Sequence, residues 1–151
     1  MSDVFDLADA VAARVNGGSY SLGDSFTATG LALIEMDADE IADNVIVHCV
    51  PRSKEITPLS RAKDKTEVTI GIGVLKAVGT SGGKIDTSAV DSLVEFCEDL
   101  ADRVKSESYT INGRRATWLG NEIDPIYDTD ALYDSQQFRS IVNATYLLTT
   151  P

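Results

Sequence analysis

Histidine occurs once in this 151-residue chain, tryptophan once, cysteine twice and proline four times. Each scarcity removes a class of chemistry. A triad built on imidazole would have to use His48, and neither a nucleophile nor an orienting acid stands beside it in sequence. His48 reads instead as a packed or edge-exposed member of an apolar strand. One histidine with the isolated Cys49 and Cys97 lacks the paired spacing of zinc ligands, and two distant cysteines do not make a disulfide framework. No stretch approaches the ~20 apolar residues of a membrane-spanning helix. The opening Met1-Ser2-Asp3-Val4-Phe5-Asp6 is acidic where a secretory signal would be basic. The expectation is a soluble chain that stays where it is made.

Basic residues are also few. Thirteen Lys and Arg face 24 Asp and Glu, a net charge of -11, which disfavours gripping a phosphate backbone. The few cations are concentrated: Arg52, Lys54, Arg61, Lys63 and Lys65 share the polar stretch 51–66. Acids gather at Asp37, Asp39, Glu40 and Asp43, at Glu95, Glu98, Asp99 and Asp102, and at Asp124, Asp128, Asp130 and Asp134. Opposite-sign patches on one small chain suit a subunit that docks on copies of itself or on a partner.

Hydrophobic residues make up 43% of the chain, enough for one globular core. Val4, Leu7, Ala8, Val11 and Val15 recur at helical spacing behind Ser2 or Asp3 as cap, and Gly17-Gly18 stops the pattern. Phe26 to Leu33 reads as a strand with a bulge at Gly30, interrupted by the acidic piece 37–43. The run Val45 to Val50 reads as a strand covered on both faces and ended by Pro51. Residues 51–66 then form a protruding basic loop leading into alternating Val68, Ile70, Ile72 and Val74. Val90, Leu93, Val94, Cys97, Leu100, Ala101 and Val104 predict a helix over 88–105 capped by Asp86, Thr87 or Ser88. Thr117 to Leu119 is a short strand, 121–136 an acidic loop, and the alternation from Gln137 to Leu148 a long closing strand. The sum is a single α+β domain over 1–151: a mainly antiparallel sheet of four to five strands, two helices packed on it, and one long hairpin loop.

Several motifs fail at named positions. The run Val78 to Ile85 resembles a phosphate loop, but Val78 stands where the first glycine is needed and Ile85 replaces the magnesium-binding hydroxyl. Gly71-Ile72-Gly73 lacks the third glycine of a dinucleotide fingerprint and reads as sheet geometry. Asp124, Asp128 and Asp130 lack the glycine and distal glutamate of a calcium loop. Asp37 with Glu40 has nothing to separate the two acidities. Asn143-Ala144-Thr145 fits a glycosylation acceptor but falls inside a strand. Catalytic residues, metal ligands and cofactors are therefore expected to be none, and the candidate partner-binding residues are Arg52, Lys54, Arg61, Lys63 and Lys65.

The order of elements carries a resemblance. The helix Val4 to Asn16, the strand beginning Phe26-Thr27-Ala28-Thr29, the acidic connection Leu33 to Ile41 and the strand Val45 to Pro51 open the series. A basic loop, the strand Val68 to Val74 and the helix Ser88 to Lys105 follow. With the late stretch Trp118-Leu119-Gly120-Asn121-Glu122-Ile123-Asp124-Pro125-Ile126-Tyr127-Asp128, then Leu132, Phe138 and a terminal strand, this layout resembles the tail terminator, or tail-completion, proteins of long-tailed bacteriophages and prophages. The resemblance implies a non-enzymatic virion subunit, assembled in the host cytoplasm, that forms a ring of typically six copies. Its implied partners are itself, the tail tube protein and a neck or head-completion protein, with DNA passing through unbound and no membrane contact. Within the same class stand the neck stopper and the tail tube protein. From other classes stand a small enzyme or ligand-binding domain using the 124–134 loop, and a cytoplasmic adaptor using its acidic helix.

Overall fold

A computed structural model describes residues 2–23, 25–34 and 38–149 of the chain. In order they form α1 (Asp3–Asn16), β1 (Ala28–Gly30), α2 (Ala38–Asp43), β2 (Ile46–Pro58), β3 (Asp64–Ala77), β4 (Thr80–Ser81), β5 (Lys84–Ile85), α3 (Thr87–Val104), β6 (Ser108–Ile111), β7 (Arg114–Ile123), α4 (Thr129–Ser135) and β8 (Gln137–Thr149). The fold is α+β. Six strands make one sheet in the order β1-β2-β3-β8-β7-β6, antiparallel throughout except for the parallel pair β1 with β2. That is one or two strands more than the sequence predicts, and α2 and α4 are two additional short helices.

The period-2 alternation of β8 explains its place at the centre. Phe138, Ser140, Val142, Ala144, Tyr146 and Leu148 are buried, while the residues between them are half-buried on the opposite face. Its neighbour β3 buries Val68, Ile70, Ile72 and Val74 toward the same side. On that side lie α1, contributing Leu7, Ala8, Val11 and Val15, and α3, contributing Val90, Leu93, Phe96, Cys97, Leu100 and Val104. Phe96 is fully buried between Tyr20 and Phe26, with ring centroids 5.4 and 5.2 Å away; Val94 and Ala101 sit half-buried at the margin.

Both helices are locally determined. Asp86 caps α3 by accepting from the Ala89 N–H at 3.3 Å, and Ser2 precedes α1 in extended conformation without a side-chain cap bond. At their far ends the two arginines are exchanged, Arg14 Nε donating to the Arg103 carbonyl at 3.1 Å and Arg103 Nε to the Arg14 carbonyl at 2.9 Å. Cationic side chains thus satisfy late-helix carbonyls and tie α1 to α3.

The first strand is only three residues long, not the eight expected. Asn16 pins it at one end: its Nδ2 donates to the Ala28 carbonyl at 3.0 Å and its Oδ1 accepts from the Ala28 N–H at 2.7 Å. Gly30 is no bulge, since it pairs in register with Cys49. It lets the strand approach α1 closely: an added Cβ would lie 2.1 Å from Asp9 Oδ1 and 3.3 Å from the Asp9 backbone nitrogen, so a side chain there would have to displace Asp9. The acidic connection after it includes α2, fixed to β3 by Lys76 Nζ, which donates to the Ala42 carbonyl at 3.0 Å. Asp37 of that acidic cluster lies outside the described residues, and Asp39 and Glu40 are described in backbone only.

Candidate functional site

Residues 51–66 are not a loop. β2 continues through Pro51 to Pro58, pairs with β3 down to Asp64, and leaves only residues 59–63 as the turn, closed by Leu59 N–H to the Lys63 carbonyl at 2.9 Å. Both prolines are tolerated because this is an edge strand. β1 covers only Val47 to Cys49, so among the described residues no strand pairs with the far side of 50–58. A register shift between Pro51 and Ser53 bulges the strand at Arg52. Strand Val45 to Val50 is covered fully on one face, where Val45, Val47 and Cys49 are buried, and only in part on the other, where Val50 is buried but Ile46 and His48 are half-exposed.

The arm so formed is a two-stranded ladder whose residues 52–64 are all exposed. Its alternation distributes the five predicted basic residues rather than gathering them. Arg52 lies across the outer sheet face, where an added Cβ on Gly71 would be 2.4 Å from Arg52 Cδ. Gly73 is covered in the same way by Ile34, 2.5 Å from its Cβ position. Lys65 pairs with Glu67 at 2.8 Å, and that hydrogen bond raises its pKa. Lys54 faces the other way, across from Val68, close enough to Asp3 to help lower its carboxyl pKa. Arg61 and Lys63 stand in the turn, beside the apolar Leu59, 66% exposed, and Ile56, 57% exposed. The tip therefore presents two cations with two unburied aliphatic side chains.

The acidic stretch 121–136 is also more ordered than a loop. β7 runs to Ile123, the Asp124-Pro125 bond is cis, and α4 follows with Asp128 as its cap, accepting from the Ala131 N–H at 3.0 Å. Asp128 is engaged in that cap, and among the described residues no three His, Cys, Asp or Glu side chains gather as a metal site. Asp124, Asp130 and Asp134 are exposed, as are Ile126 at 55% and Tyr133 at 85%. Beside this segment a cavity of about 210 Å³ is lined by Ile34, Leu75, Pro125, Asp128, Arg139, Ser140 and Ile141.

Other residues singled out by sequence have structural tasks. Gly82 and Gly83, at φ 62° and 80°, turn the small β4–β5 hairpin, so the phosphate-loop-like run is a tight reversal. His48 borders a depression of about 450 Å³ with Phe26, Thr29 and Asn44. Asn143 lies within β8 and donates to the Asp124 carbonyl at 3.4 Å. Burial pushes the Cys49 thiol up to about 12 and Cys97 to about 11. Tyr109 rises to about 12 by burial beside Tyr146, ring centroids 5.7 Å apart. At the start of α1, Asp3 accepts from Asn112 at 2.8 Å and Arg114 at 2.9 Å, which fastens the β6–β7 turn to the helix and lowers the Asp3 pKa.

Comparison with protein-family models and with curated proteins finds no match for the chain.

Proposed function

We propose that the protein is a tail terminator subunit, a virion structural protein that closes into a ring on the tail tube and joins it to the neck while leaving a channel for DNA. The observation that carries this reading is the β2–β3 arm. A ladder of this length, exposed from Arg52 to Asp64 and ending in Ile56, Leu59, Arg61 and Lys63, has little of its own domain to pack against. Such an element is stabilised by a neighbour, and the acidic body of an identical subunit is complementary to its charge. Partners in this reading are further copies of the chain, the tail tube protein and a head-completion protein.

Assembly state and tail joining test it. Light scattering and negative-stain microscopy of the purified chain should give closed rings, and added protein should cap tubes and support joining to heads. Replacing Arg52, Lys54, Arg61, Lys63 and Lys65 by Ser should weaken ring formation or attachment while leaving the melting temperature of the monomer nearly unchanged, since exposed ion pairs such as Lys65 with Glu67 contribute little. A chain that remains monomeric at every concentration and fails to attach to tails refutes the reading.

A further inference from the structure

Four of the large apolar side chains left exposed fall into two pairs of opposite electrostatic setting. Ile56 and Leu59 sit on the arm beside Arg61 and Lys63; Ile126 and Tyr133 sit in the 124–134 segment beside Asp124, Asp130 and Asp134. Ile126 follows Pro125, which with Ile34, Leu75 and Ile141 forms the apolar wall of the 210 Å³ cavity; Asp128, Arg139 and Ser140 complete its lining. A cavity of that size accommodates one aliphatic side chain, and an apolar anchor flanked by charges that meet opposite charges on the partner is a common core of a protein interface; here the acids available to a basic tip are Asp124, Asp130 and Asp134 of the adjoining segment.

The two surfaces belong to opposite ends of the sheet. Thr66 pairs with Leu148 at the arm end of the β3–β8 ladder and Leu75 with Arg139 at the cavity end. At about 3.3 Å per residue those two positions are roughly 30 Å apart, and the tip lies further out beyond Thr66, so the arm tip cannot fold back onto the cavity of its own chain. We infer that the arm tip of one copy docks on the 124–134 segment of a second copy, Leu59 entering the Ile34–Leu75–Pro125–Ile141 cavity and Arg61 and Lys63 meeting Asp130 and Asp134. A contact between unlike surfaces is heterologous, and it closes into a ring or runs on as a filament according to the rotation it imposes. The inference rests on the assembly reading above and adds which surfaces meet.

Cysteine cross-linking tests it on the full chain, because Cys49 and Cys97 are buried and do not interfere. Leu59→Cys and Tyr133→Cys proteins, mixed under copper–phenanthroline oxidation, should give covalent dimers; each alone, or Leu59→Cys mixed with Leu119→Cys, should not. In parallel, Arg61→Glu with Lys63→Glu, or Asp130→Lys with Asp134→Lys, should raise the association Kd roughly tenfold or more, and mixing the two reversed proteins should restore one contact between them. If the parent protein assembles but the Leu59–Tyr133 pair does not cross-link above the Leu119 control and the reversals leave Kd unchanged, this docking mode is wrong and the assembly reading stands. If the parent protein never associates, both fall.

Discussion

Truncating Leu100 to Ala should be among the most damaging single changes in the molecule. The side chain is 0% exposed in the C-terminal part of α3, in one core cluster with Leu93, Phe96, Val142 and Ala144. Losing three carbons at about 0.8 kcal/mol each removes about 2.4 kcal/mol of transfer free energy. A cavity left in a close-packed region between a helix and a sheet brings the total to about 3 to 5 kcal/mol. At roughly 2 to 4 °C per kcal/mol for a chain of this size, Tm should fall by about 6 to 20 °C. Glu95→Ala on the same helix is the control. Glu95 is exposed and has Asp91 and Asp99 one turn away on either side, each like-charge pair costing about 0.2 to 0.5 kcal/mol. Its removal should change stability by less than about 0.5 kcal/mol or raise it slightly. Urea denaturation with an unchanged m-value measures both. Equal falls in midpoint for the two variants, or a loss below about 1 kcal/mol for Leu100→Ala, would mean that α3 does not present this face to the sheet.

Three further outcomes follow from individual contacts. Asp3 has its pKa lowered first by Asn112 and then by Arg114, so its contribution is present above the ordinary carboxylate value and lost as pH falls through the lowered one. Asp3→Asn should be less stable than the parent at pH 7 and converge with it in strong acid, and parallel melting curves at every pH would refute the fastening. Cys49 and Cys97, raised by burial to about 12 and about 11, should not react with a thiol reagent at pH 8 until the chain is unfolded; prompt labelling of the native protein would contradict their burial. Gly113 has φ 78° in the β6–β7 turn, so Gly113→Ala should cost about 1 kcal/mol or more in denaturant midpoint, and a neutral result would argue against the left-handed turn.

Elements with one face in the core were legible from sequence, because burial writes a period into the residues. The 3.6-residue spacing of Leu7, Val11 and Val15 and of Val90, Leu93, Cys97 and Leu100, and the alternation of Phe138 to Leu148, predict α1, α3 and β8 near their observed limits, while the alternation of Val68 to Val74 marks only the middle of β3. The hairpin β6–β7 also had a local signal, Asn112-Gly113 between Tyr109, Ile111 and Ala116, which sequence reasoning passed over. Phe96 was missed as core because it stands beside Cys97 and between two exposed glutamates, and only the aromatic contacts of Tyr20 and Phe26 reveal its direction.

The arm and the acidic segment left no such period. Both faces of β2 from Arg52 to Pro58 meet solvent, so polar residues stand where a half-buried strand would alternate, and Pro51 and Pro58 read as breakers although an edge strand tolerates them. The core and the uneven placement of charge were readable without the fold, since both depend on residue type at local spacing. Which side of the arm each cation occupies, that Arg52 and Ile34 fill the space above Gly71 and Gly73, and that the basic tip and the acidic, pocketed segment stand at opposite ends of one sheet were decided by tertiary structure. The physical reason is that pairing register joins residues dozens of positions apart, and no local pattern encodes it when neither face of a strand is buried.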